Sequence, residues 1–169
     1  MFQCMILAVS AVLVGLDQLT KWLAVMYLRN GESITVIPRI LDFSYAENTG
    51  AAFSILSGER WFLIVITLIV MVALAAFVLF GQFRRYKLFN LSATLILAGG
   101  IGNLIDRLVQ GYVVDFIKVT FMDFPVFNVA DCFVVVGSVL LLIFFCFIYE
   151  DKAPTEAAHG KATDDSSGS

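Results

Sequence analysis

Three aspartates stand where aspartate is costly, and a fourth lies close by. Asp17, Asp106 and Asp131 interrupt long apolar stretches, and Asp115 lies between the last two. Placing an Asp at the centre of a membrane helix costs about 2.5–3.5 kcal/mol on translocon scales, which makes such a residue a functional candidate by default. Two carboxylates held close together cannot both ionise easily, so their titrations split. The ionised member then takes a proton from water while the protonated member polarises a scissile carbonyl. The pair titrates as a unit, and the chemistry is aspartyl-type hydrolysis. The bland alternative is ion pairing for assembly, Asp17 with Lys21 and Asp106 with the Arg107 of a neighbour. That alternative suits Asp115 and Asp131 less well, because only Lys118 stands near either of them in sequence.

Other chemistries lack their parts. The only histidine, His159, lies in a polar C-terminal stretch, which argues against Ser-His or Cys-His nucleophiles and against a histidine-based zinc site. Cys4, Cys132 and Cys146 are far apart with no CxxC spacing, so buried thiols acting as small apolar residues are the default. No phosphate-binding loop or dinucleotide fingerprint occurs. Gly100-Ile101-Gly102-Asn103 mimics a GxGD aspartyl motif but carries Asn where Asp is needed. No metal or other cofactor is expected. The net charge of −3 offers no basic face to a nucleic acid.

The elements that must position these residues are membrane helices. Of 169 residues, 60% are hydrophobic and 15% charged, against roughly 45–50% and 25% in soluble domains. Four stretches approach the ~20 apolar residues that span a bilayer: Met5–Val25, Trp61–Phe83, Leu88–Val109 and Asn128–Tyr149. None alternates with period two, which leaves helices as the spanning structure. The first has no basic leader and no small-residue cleavage site, so it is expected to be retained rather than removed as a signal peptide. The cluster Arg84-Arg85-Tyr86-Lys87 is expected on the cytoplasmic side, which puts both termini there as well. The expected fold is therefore all-α, with four transmembrane helices in one domain over residues 1–150 and a disordered polar tail over 151–169.

Two outer connections remain. Residues 26–60 contain the alternating segments Ser33–Ile37 and Leu41–Tyr45 around Pro38, which predict a small hairpin or sheet on the outer membrane surface. Residues 110–127 contain Val113–Val119, a short strand or interfacial segment. Gly99, Gly100 and Gly102 thin one face of the third span. Ala98/Gly102 and Ala11/Gly15 form small-xxx-small pairs suited to close helix packing.

Span direction gathers the polar residues. Odd spans run one way and even spans the other, so the late ends of spans one and three share a side with the early end of span four. Asp17 and Lys21, then Asn103, Asp106 and Arg107, then Asn128 and Asp131 all fall at that one membrane face, with Asp115 in the adjoining connection. Spacings of three and four residues align each set along one helical stripe.

These motifs, taken in order, resemble the lipoprotein signal peptidases (signal peptidase II). Asp17-Gln18-Leu19-Thr20-Lys21 is similar to the first-helix motif of that family, Asn48-Thr49-Gly50-Ala51-Ala52-Phe53 to its outer-loop motif, and Gly102-Asn103-Leu104-Ile105-Asp106-Arg107 to its third-helix motif. Val113-Val114-Asp115-Phe116 and Phe127-Asn128-Val129-Ala130-Asp131 resemble the two motifs that carry its catalytic aspartates. The resemblance implies that Asp115 and Asp131 form the dyad. It implies substrate-binding or supporting roles for Asp17, Lys21, Asn48, Gly50, Asn103, Asp106, Arg107, Asn128 and Ala130. The family removes signal peptides from bacterial prolipoproteins, cutting before a diacylglyceryl-modified cysteine. A lipid-modified substrate, membrane lipid as partner, a monomer, and an active site at the outer face of the bacterial cytoplasmic membrane are implied with it. Cys132 departs from the Ser usual after the second aspartate. Two other readings compete. A proton-coupled transporter would place its acids near the midplane between repeats, and a noncatalytic assembly factor would leave Asp115 and Asp131 idle.

Overall fold

A computed structural model describes residues 2–31, 33–50 and 56–149. The tail from residue 150 with His159, the Ala51-Ala52-Phe53 part of the outer-loop motif, and the side chains of Cys4 and Arg84 lie outside the described residues.

Four helices cross the bundle: α1 (Phe2–Leu28), α2 (Arg60–Phe80), α3 (Lys87–Val109) and α4 (Val129–Ile143). A π-helical segment, Phe144–Tyr149, prolongs α4. The apolar part of each runs for 21 or 23 residues; at 1.5 Å per residue that is about 30 Å, the thickness of the hydrocarbon layer. α2 turns Val65, Ile69, Val72, Phe77 and Phe80 outward, as a lipid-facing helix does. α3 is the central helix, packed on the other three, and buries small and polar side chains such as Asn90, Ser92, Ala93, Ala98 and Gly102.

The small residues of α3 set how near its neighbours come. A Cβ on Gly99 would run into the Ala130 carbonyl and the Val134 side chain, and one on Gly102 into the Asp17 carboxylate. The Ala98/Gly102 pair therefore packs as expected. The Ala11/Gly15 pair does not: both residues are exposed, and nothing lies within 4 Å of a Cβ built on Gly15. The reason is rotational. α1 turns Ile6, Ser10, Asp17, Lys21, Ala24 and Leu28 inward, a single stripe at helical spacing, and that leaves Ala11 and Gly15 on the outer side.

The connections after α1 and after α3 merge into one sheet. Strands β1 (Ser33–Ile37), β2 (Leu41–Asn48) and β3 (Val113–Val119) pair antiparallel in that order. Pro38, Arg39 and Ile40 make the turn between the first two. β3 aligns Asp115 with Ala46 and Val113 with Asn48. Its buried Val114 and Phe116 pack on Ala24 and Leu28, which seats the sheet on the end of α1. Gly111, at φ +89°, turns the chain out of α3 and into β3, a left-handed conformation that a residue with Cβ resists. Phe127 pairs with Ile117 through backbone hydrogen bonds of 2.8 and 3.0 Å, so the start of α4 lies against β3. At the opposite end, Phe83, Phe89, Phe144, Phe145 and Tyr149 close the bundle as an aromatic cluster.

Candidate active site

The first turn of α4 holds Asp131 in place. The Asn128 side chain accepts a hydrogen bond from the Asp131 backbone N–H at 2.9 Å, and Asp131 Oδ2 accepts from the Asn128 N–H at 3.1 Å. This reciprocal cap satisfies two otherwise orphaned donors and immobilises both side chains. The oxygen of the Asn128 amide is now spoken for, so its nitrogen must face the other way. There it donates to Asp115 Oδ1 at 2.6 Å. One fully buried asparagine thus touches both aspartates.

Asp115 comes from β3 and is 2% exposed. Its second oxygen accepts from Asn48 Nδ2 at 2.9 Å, and Asn48 Oδ1 accepts from the Gly50 N–H at 2.9 Å. Burial, then the charge of Asp131, pushes the Asp115 carboxyl up to about 6. Asp131 Oδ1 accepts from Asn103 Nδ2 at 2.8 Å. Arg107 donates through Nη2 to the Gly50 carbonyl at 2.9 Å, while its buried Nε has no hydrogen-bond partner among the described residues.

A second layer lies beneath. Lys21 Nζ is 3.0 Å from both Asp17 Oδ2 and Asp106 Oδ2, and all three side chains are at most 3% exposed. Asp17 Oδ1 also accepts from the Ala130 N–H at 2.9 Å, and Asp106 Oδ2 from the Val114 N–H at 3.2 Å. The two carboxylates therefore grip the backbone directly beside Asp131 and Asp115. Breaking a buried pair by removing one partner costs about 3–5 kcal/mol, so this triad strongly constrains where the two segments sit.

All eleven residues singled out in the sequence converge here. The pairing of Asp106 differs from the expectation: its cation is Lys21 of α1, not an arginine. Among the described residues neither Asp115 nor Asp131 forms an ion pair, so assembly through charge pairing accounts for Asp17 and Asp106 only. Gln18 is a contributor that the sequence reading passed over. Its Nε2 donates to Asp106 Oδ1 at 3.0 Å and to the Gly102 carbonyl at 3.1 Å. An uncharged amide inside an apolar span, three residues before Lys21, was the available signal. Among the described residues no group of three His, Cys, Asp or Glu is arranged to hold a metal ion.

A cavity of about 290 Å³ opens beside Asp131 between α2, α3 and α4. Asn103, Arg107 and Asp131 form its polar end, and Ile66, Val70, Met71 and Val134 its apolar walls. An extended apolar chain lying in this groove would bring a backbone carbonyl to the polar end.

The sequence model of the family described as Signal peptidase (SPase) II matches residues 9–147. A lipoprotein signal peptidase of Enterococcus faecalis is 43% identical over 152 residues, covering 90% of this chain and 92% of the relative. One from Streptococcus pyogenes is 46% identical over 131 residues, covering 78% and 86%. Two solved bacterial membrane enzymes share the fold. The first, at 2.3 Å, has a TM-score of 0.81 at 35% identity, covering 90% of this chain and 93% of that one. The second, at 1.9 Å, has a TM-score of 0.75 at 37% identity, covering 85% and 94%.

Proposed function

Because the chain belongs to the signal peptidase II family, a family of bacterial multi-pass membrane proteases, we propose that Asp115 and Asp131 are an aspartyl dyad that cleaves prolipoproteins just before their diacylglyceryl-modified cysteine. The observation that carries this reading is the Asn128 bridge, which holds one carboxyl at 2.6 Å and caps the helix that presents the other. Asp115 is the member that keeps a proton, since burial and its neighbour's charge raise it to about 6. Asp131, with hydrogen-bond donors on both oxygens, takes the proton from water. The water attacks the scissile carbonyl as Asp115 donates to its oxygen, and the proton on Asp131 passes to the leaving amide nitrogen.

The apolar groove suits the signal-peptide segment of such a substrate, and the bilayer beside it suits the acyl chains. The site then lies at the extracytoplasmic end, with the sheet above it and both termini cytoplasmic. The chain works as a monomer with membrane lipid around it, its spans in one domain over 1–150 and 151–169 as a cytoplasmic tail. The deciding experiment compares a diacylglyceryl-modified precursor with its unmodified twin. Wild type should cleave only the first, and Asp115→Asn and Asp131→Asn should cleave neither while melting as folded proteins. Near-normal turnover by either variant would falsify the dyad.

A further inference from the structure

Lys21 does more than neutralise its two carboxylates. Its ammonium has three N–H donors, and the third points to Asn103 Oδ1 at 2.8 Å. This neutral contact ties the ammonium to the Asp131 side chain, because Asn103 Nδ2 donates to Asp131 Oδ1 at 2.8 Å. We infer that Lys21 is a positioning residue for Asp131, acting through the side-chain amide of Asn103.

The orientation of the Asn103 amide makes the link. A primary amide is nearly symmetric in shape, and turning it over exchanges a donor for an acceptor. Turned over, Asn103 would set its NH2 group against the ammonium and its oxygen against the Asp131 carboxylate. Both contacts are repulsive. Asn128 Nδ2, 3.1 Å from Asn103 Oδ1, enforces the same sense. The oxygen end is therefore held by two donors, and the nitrogen end is obliged to face Asp131. A carboxylate that receives donors on both oxygens is favoured over the acid, which must itself donate. That is the form needed to accept a proton from water, and the inference rests on the dyad reading above. The other charged or titratable groups near Asp131 are Asp115 from β3, Arg107 from α3 and Cys132 on its own helix. Arg107 also favours the carboxylate, and an ionised Asp115 opposes it.

The test is a double-mutant cycle that reads kcat and KM separately, using full-length protein in detergent and a lipid-modified precursor. Lys21→Met and Asn103→Ala should each lower kcat on the order of 10²-fold, the scale of a misplaced reacting group, with little change in KM. The double variant should be no slower than Asn103→Ala alone, because the two act in series. If Lys21→Met does not fold, Lys21→Arg replaces it in the cycle. It keeps the charge between Asp17 and Asp106 but substitutes a planar fork for the compact ammonium. Losses that multiply in the double variant, or a loss that falls on KM instead of kcat, would overturn the inference and leave a purely structural lysine. Activity in Asp131→Asn would overturn the dyad reading instead, so the two failures are distinguishable.

Discussion

Asp115 is the residue where burial and chemistry conflict most directly. Its carboxyl is pushed up to about 6 by burial and by the charge of Asp131, against an ordinary value of 3.8. Two consequences have definite signs. Between these pH values the folded chain binds more protons than the unfolded one, so this group's contribution to stability is fully present below about 4 and is lost as pH rises to about 6. The cost of holding it ionised above that window is on the order of 3 kcal/mol. Melting of the protein in detergent should show this slope, and Asp115→Asn should flatten it; an unchanged slope would mean that Asp115 is not the group responsible. For activity, the proton on Asp115 is needed and is lost as pH rises. The alkaline limb of kcat/KM should therefore lie near pH 6, and that of kcat should lie higher, because a bound apolar peptide dries the groove further. Coincident limbs in the two profiles would contradict this drying. Some of the residue scale was legible in advance. Asp17, Asp106 and Asp131 announced themselves by their cost in lipid, but the donor set around Asp115 did not, since Asn48, Asn128 and Asp115 come from three separate segments.

At the scale of elements, helix ends and strand pairing deliver the carboxylates. Asn128→Ala removes the cap of α4, worth about 1 kcal/mol, and also a side chain that hydrogen-bonds to both aspartates. Its loss of kcat should greatly exceed its loss of stability, and a variant that melts early yet turns over normally would show the cap to be structural alone. Gly102→Ala puts a methyl where the Asp17 carboxylate lies. Overpacking of this kind costs about 1–3 kcal/mol, and here it also pushes on the carboxylate that holds the Ala130 N–H, so activity should fall together with the melting temperature. The sheet has its own test. Deleting residues 39–44 removes the β1–β2 turn and part of β2; if the sheet clamps substrate from above, kcat/KM drops, and an unchanged value sinks that role. The helices were foreseeable from length and apolarity, and the hairpin around Pro38 from its alternation. The pairing of β2 with β3 was not, because the segments that join are separated by two spans and no local pattern records which distant edge a strand will find.

For the whole molecule, the groove between α2, α3 and α4 separates binding from chemistry. Val70 lines its apolar wall, so Val70→Trp should raise KM about tenfold and leave kcat nearly intact; a fall in kcat alone would place the signal peptide elsewhere. Orientation is open to direct measurement. In a variant lacking the native cysteines, Ser33→Cys in β1 should react with a membrane-impermeant thiol reagent in intact cells, and Lys87→Cys at the start of α3 only after permeabilisation. The reverse pattern would invert the molecule. Chelators should leave activity unchanged, and metal-dependent turnover would count against an aspartyl mechanism.

The sequence by itself determined the number of spans, their alternating directions and the gathering of Asp17, Asn103, Asp106, Arg107, Asn128 and Asp131 at one face. Those follow from the cost of unpaired backbone and of charge in hydrocarbon, and both costs are local to each span. Only the tertiary structure decided which acid pairs with which base. It rotated α1 so that Lys21 meets Asp106 of α3, turned Ala11 and Gly15 to the outer side, and laid Phe127 against Ile117 so that Asn128 touches Asp115. Helix rotation and strand partnership are set by packing across the whole bundle, where residues far apart in the chain compete for the same contacts. Spacing within one segment carries no record of that competition.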